Sequence, residues 1–113
     1  MIVEKDRDIL SILTHIFKEE GYHVIPFPEE DGVLEEIINQ KPDAILLDVM
    51  QPTEEGTVLC REIKATPGIS QIPVIALSTH VHFNKIRDLC ADKVLGKPFD
   101  VTHLINAVED QLA

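Results

Sequence analysis

Short, densely apolar runs alternate with longer stretches in which apolar residues recur at helical spacing. Ile2-Val3 is the stub of a first strand. Asp6 stands where a helix N-cap belongs, and Ile9, Leu10, Ile12, Leu13, Ile16 and Phe17 then follow the 3.6-residue period as far as Gly21. His23-Val24-Ile25 reads as a second short strand, stopped by Pro26 and Pro28. Val33, Leu34, Ile37 and Ile38 mark a second amphipathic helix that closes before Pro42. Ala44-Ile45-Leu46-Leu47 and Pro73-Val74-Ile75-Ala76-Leu77 are apolar on both faces, as strands covered on both sides must be.

Between those two strands lies a loop with Pro52 and Gly56, then a third helix carrying Val58, Leu59 and Ile63, with Thr57 as its cap. Phe83, Ile86, Leu89 and Cys90 suggest a short fourth helix. Val94-Leu95 is a fifth strand. Asp100 caps the last helix, where Val101, Leu104, Ile105, Val108 and Leu112 form one stripe. Strands of this kind alternating with amphipathic helices predict right-handed βαβ units, and so an α/β fold around a parallel sheet.

Length and charge narrow the picture. A chain of 113 residues with 44% hydrophobic content fills one modest core, so residues 1–113 are expected to form one domain. Twenty acids against ten bases leave a net charge of −10, which opposes direct nucleic-acid binding. The first residues are charged and lack a signal peptide's apolar core, and runs such as Ala44–Leu47 are far too short to span a membrane. Cys60 and Cys90 lack metal-type spacing and read as reduced core residues. Together these features predict a soluble, cytoplasmic protein. His80 and His82 have no evident third ligand and read as solvated loop residues.

Chemistry is expected at one edge of the sheet. In a parallel sheet all strands end on the same side, and ligands bind there. Glu4, Lys5 and Asp6 follow the first strand, Asp48 ends the third, Ser78 and Thr79 follow the fourth, and Lys97 follows the fifth. This set suits phosphoryl transfer to a carboxylate. Asp48 can attack phosphorus and form an acyl phosphate. Lys97 can supply an ammonium group and Ser78 a hydroxyl to the charge that develops on the equatorial oxygens. Mg²⁺ would need oxygens beside Asp48, and Glu4, Asp48 itself and the backbone carbonyl of Met50 are the candidates.

The run Ile45-Leu46-Leu47-Asp48-Val49-Met50-Gln51-Pro52, with Gly56 downstream, resembles the phosphoacceptor segment of bacterial two-component response regulator receiver domains of the CheY-like type. Pro73-Val74-Ile75-Ala76-Leu77-Ser78 is similar to that family's fourth strand with its hydroxyl residue. Leu95-Gly96-Lys97-Pro98-Phe99 is similar to its lysine-proline motif, and Glu4-Lys5-Asp6-Arg7-Asp8-Ile9 falls where its acidic cluster opens the first helix. The resemblance runs the length of the chain in the right order. It implies a doubly wound, flavodoxin-like (βα)5 sheet of order 2-1-3-4-5. It also implies Asp48 as phosphoacceptor, Ser78 as phosphate-sensing hydroxyl, Lys97 as phosphate-binding lysine, a cis bond before Pro98 and Mg²⁺ as cofactor.

The partners it implies are a sensor histidine kinase or histidine phosphotransfer protein and a downstream effector, with homodimerisation common in such families. It implies a signalling acceptor rather than an enzyme. A flavodoxin proper needs a Ser/Thr/Gly phosphate loop after the first strand, and Glu4-Lys5-Asp6-Arg7 is nothing like one. A dehalogenase-type hydrolase wants an acid two residues past its nucleophile, where Met50 stands.

The chain departs from the family at four places. Lys5 occupies the usual position of an acidic metal ligand. At about 4 Å a unit charge contributes on the order of 4 kcal/mol at an effective dielectric near 20, and here the sign opposes a dication. Either Asp6 substitutes through a shifted chain, or the Lys5 ammonium itself sits in the metal site. Val94 replaces the aromatic ring that serves as a rotamer switch in the family. The segment from Ser78 to Lys97 is shorter than usual, and the first strand is clipped. Lys5 and Val94 motivate an alternative: a pseudo-receiver, an interaction module that works without phosphorylation.

Overall fold

The computed structural model describes residues 1–29, 31–48, 54–78, 91–96 and 100–113, with backbone alone for 54–57 and 78. Five strands, β1 (Ile2–Val3), β2 (Pro26–Phe27), β3 (Ile45–Asp48), β4 (Val74–Ser78) and β5 (Lys93–Gly96), form one parallel sheet of order β2-β1-β3-β4-β5. Four helices are described: α1 (Arg7–Glu19), α2 (Val33–Gln40), α3 (Glu54–Ala65) and α4 (Val101–Leu112). The flavodoxin-like sheet order expected from the sequence is therefore present. The helix expected around Phe83, Ile86 and Leu89 lies outside the described residues.

Alternation along the central strands divides the core into two layers. Val3, Ile45, Leu47, Val74 and Ala76 face one way and pack with Val33, Ile37, Leu59 and Ile63 of α2 and α3. Ile2, Leu46, Ile75 and Leu77 face the other way and pack with Leu10, Leu13 and Phe17 of α1 and Leu104 and Val108 of α4. Each fully buried Leu or Ile contributes roughly 1.5–3 kcal/mol. A sheet covered on both faces has no polar side, which is why β3 and β4 read as unbroken apolar runs.

The helix ends follow local chemistry. Asp6 caps α1 by accepting the Asp8 and Ile9 amides at 2.9 and 3.2 Å. Asp100 caps α4 by accepting the His103 amide at 3.1 Å. Lys41 closes α2 in the left-handed region at φ 46°, immediately before Pro42. Thr57 lies inside α3 and is not its cap: the helix begins earlier, at Glu54.

Two further expectations change. The second strand is Pro26–Phe27 and not His23–Ile25. Ile2 donates to the Ile25 carbonyl at 2.9 Å and Glu4 to that of Phe27 at 3.0 Å, so residues 25 and 27 face β1. Pro26 between them turns its missing N–H toward the open edge, where an edge strand loses nothing. Cys60, buried in the α3 layer, is disulfide-bonded rather than reduced. Chain spacing could not show this, because a disulfide needs spatial proximity. Cys90 lies outside the described residues, and cysteine usage no longer argues for a reducing compartment.

Candidate functional site

The register sets what meets at the C-terminal edge of the sheet. Val3 stands beside Leu47, so Glu4 follows at the level of Asp48. Asp48 in turn stands beside Leu77, and Ser78 beside Gly96. Ser78 is thus the last residue of β4, and Gly96, the last of β5, immediately precedes Lys97. Neighbouring strands lie about 4.8 Å apart, so the ends of β1, β3, β4 and β5 are consecutive places on one rim. The backbone accordingly brings Glu4, Asp48 and Ser78 to the same edge. Met50 and Lys97 lie outside the described residues, as does the bond before Pro98.

Burial singles out two of these residues. Glu4 is 1% exposed and Asp48 5%, and among the described residues they are the buried charged ones. Each stands two residues beyond an apolar side chain of the α1/α4 layer, Ile2 and Leu46, so alternation puts both carboxylates on that side of the sheet. Burying a carboxylate is costly unless it is hydrogen-bonded or paired. Both have partners within the chain, and no buried side-chain oxygen among the described residues lacks a hydrogen bond. Lys5, next along the chain, is exposed and also has a partner. Two buried acids at neighbouring strand ends, with a hydroxyl residue closing the next strand, make a polar, acidic edge rather than a hydrophobic cleft.

The fold has clear counterparts. Residues 1–109 match the family described as response regulator receiver domain. The chain belongs to that family. Among solved structures it is similar to the receiver domain of NtrX from Brucella abortus, at 26% identity and a TM-score of 0.85, covering 98% of this chain and 95% of that one. It is also similar to the signal receiver domain of a signal transduction histidine kinase from Syntrophus aciditrophicus, at 29% identity and a TM-score of 0.78, covering 98% and 86%. The BeF3-activated N-terminal receiver domain of Klebsiella pneumoniae RstA shares the fold, at 24% identity and a TM-score of 0.84, covering 98% and 95%.

Receivers are signalling phosphoacceptors rather than enzymes in the ordinary sense. They act in two-component signal transduction, interact with histidine kinases and typically bind Mg²⁺. No described helix of this receiver is long and apolar enough to cross a membrane.

Two features of this receiver bear on those roles. Asp6, the acid nearest to Glu4 along the chain, is exposed, and its Oδ1 accepts both cap amides of α1. Val94 stands beside Ala76 in the β4–β5 ladder and packs, half-buried, against the α2/α3 layer. Sequence reasoning missed one structural device at the opposite end of β5. Asp92 Oδ2 accepts the Val74 amide at 2.8 Å and the Lys64 ammonium at 2.7 Å. Lys64 Nζ also donates to the Ile72 carbonyl at 2.8 Å. Twenty-eight residues separate Lys64 from Asp92, and no local pattern marks the pair.

Proposed function

We propose that residues 1–113 form one receiver that takes a phosphoryl group from phosphohistidine on a histidine kinase or phosphotransfer protein, with Asp48 as acceptor. The observation that carries this reading is the burial of Asp48 at the end of the central strand, level with Glu4 and one place from Ser78. An Asp48 carboxylate oxygen attacks phosphorus, the P–N bond to the donor imidazole breaks, and the electron pair leaves with the ring nitrogen, which takes up a proton. The Lys97 ammonium and the Ser78 hydroxyl receive the equatorial oxygens. The acyl phosphate then shifts a two-state equilibrium on the surface offered to a downstream effector. Such a receiver works in the cytoplasm, beside the catalytic domains of sensor kinases. Its Mg²⁺ ligands would be Glu4, Asp48 and the Met50 carbonyl, with Lys5 opposing the ion.

Phosphoramidate, a small donor with a P–N bond, provides the test. Intact mass spectrometry should show a gain of one phosphoryl group that is absent from Asp48→Asn. No gain in the wild type, or an equal gain in the variant, refutes the acceptor role.

The packing of Val94 supports a second reading. A valine fixed against the core has no ring to swing, so the surface offered to a partner can be set without phosphorylation. In that case binding of the downstream partner is indifferent to Asp48→Ala. A tenfold loss of that binding in the variant would dismiss it.

A further inference from the structure

The rim of the sheet holds two buried carboxylates and, one residue away, a lysine. A divalent cation needs oxygen ligands that are free to turn toward it. Among the described residues no group of three or more His, Cys, Asp or Glu side chains is placed to hold an ion. Asp6, the acid that could have replaced the missing ligand, is committed to the cap of α1.

Lys5 is well placed to answer the charge instead. Successive Cα atoms lie 3.8 Å apart and neighbouring strands about 4.8 Å, which puts the Lys5 backbone about 6 Å from that of Asp48. A lysine stem spans that distance. The side chain is exposed, so its ammonium can remain hydrated at the mouth of the pocket, and it has an interaction partner within the chain.

We propose that the Lys5 ammonium supplies the positive charge that Mg²⁺ supplies in other receivers, leaving the Asp48 pocket indifferent to divalent cations. This rests on the proposed reading only in treating Asp48 as the pocket's anion. Phosphorylation plays no part in its test, so the two readings fail separately.

The test is a Mg²⁺ titration of the full chain, followed through the amide resonances of Glu4 and Asp48, for the wild type, Lys5→Asp and Lys5→Gln. The wild type is expected to show small shifts that do not saturate. Lys5→Asp should show saturable shifts with an affinity at least about tenfold higher, because the local charge changes by two units. Lys5→Gln, which removes the charge and adds no ligand, should fall between them. Should Lys5→Asp lose the dispersed spectrum of a folded protein, the Gln variant decides alone, by tightening. Saturable millimolar binding to the wild type, or variants that bind no more tightly than it does, overturns the proposal.

Discussion

Replacing Asp92 with alanine would test how the β4–β5 side of the rim is held in place. Asp92 immediately precedes β5, and the β4–β5 register that it helps fix brings Gly96 level with Ser78. One carboxylate oxygen accepts both the Val74 amide and the Lys64 ammonium. The side chains of Lys64 and Asp92 are 22% and 38% exposed, so neither bond has its full buried strength. A charge-assisted bond to a backbone amide contributes about 1.5–3 kcal/mol when buried, and about 1 kcal/mol after discounting for this exposure. The ion pair adds about 0.5–1 kcal/mol.

Asp92→Ala should therefore cost about 2 kcal/mol, and lower the melting temperature by roughly 4 °C per kcal/mol. Lys64→Met keeps the stem and loses the bonds to Asp92 and to the Ser70 and Ile72 carbonyls, for about 1 kcal/mol. In a urea-denaturation double-mutant cycle the two should couple by about 0.5–1 kcal/mol. Additivity within about 0.3 kcal/mol, or a neutral Asp92→Ala, refutes the claim that this carboxylate staples α3 to the start of β5.

Three other outcomes follow from local geometry. Lys41→Gly should stabilise the fold by about 1 kcal/mol in thermal or urea unfolding, because Lys41 holds φ at 46° without glycine's freedom. The Met1 amino group, buried and donating to the Ala44 carbonyl at 3.0 Å, has its pKa lowered to about 6, chiefly by burial, with Asp43 acting the other way. The unfolded chain therefore binds more protons between pH 6 and 8, so this group makes stability rise with pH by about 2 kcal/mol across that window; amino-terminal acetylation should remove that part of the slope. Leu13→Ala, at a fully buried position of α1, should cost about 2–5 kcal/mol by the same unfolding measurement.

The layered α/β plan was legible because burial on both faces leaves a plain mark: Ile45–Leu47 and Val74–Leu77 have no polar alternation. Asp6 and Asp100 were legible as caps because capping is local. The shift of β2 was not, since a proline reads as a stop unless its neighbours are known to carry the ladder bonds. Thr57 misled because a capping residue three places into a helix looks like one at its start. The disulfide of Cys60 and the Lys64–Asp92 staple depend on how distant segments pack, which no spacing rule encodes. At the rim, the position of Asp48 at the end of β3 was legible because it closes an apolar run. The placement of Glu4 level with it came from the β1–β3 register, which no local pattern shows.

Locating the phosphoryl group decides whether Asp48 is the acceptor. After incubation with phosphoramidate, borohydride reduction converts an aspartyl phosphate to homoserine, and peptide mass spectrometry then reads its position. Homoserine is expected at position 48 and at no other acid. A reduced acid at Glu4 or Asp6 with Asp48 intact, or no reduced residue at all, would contradict it.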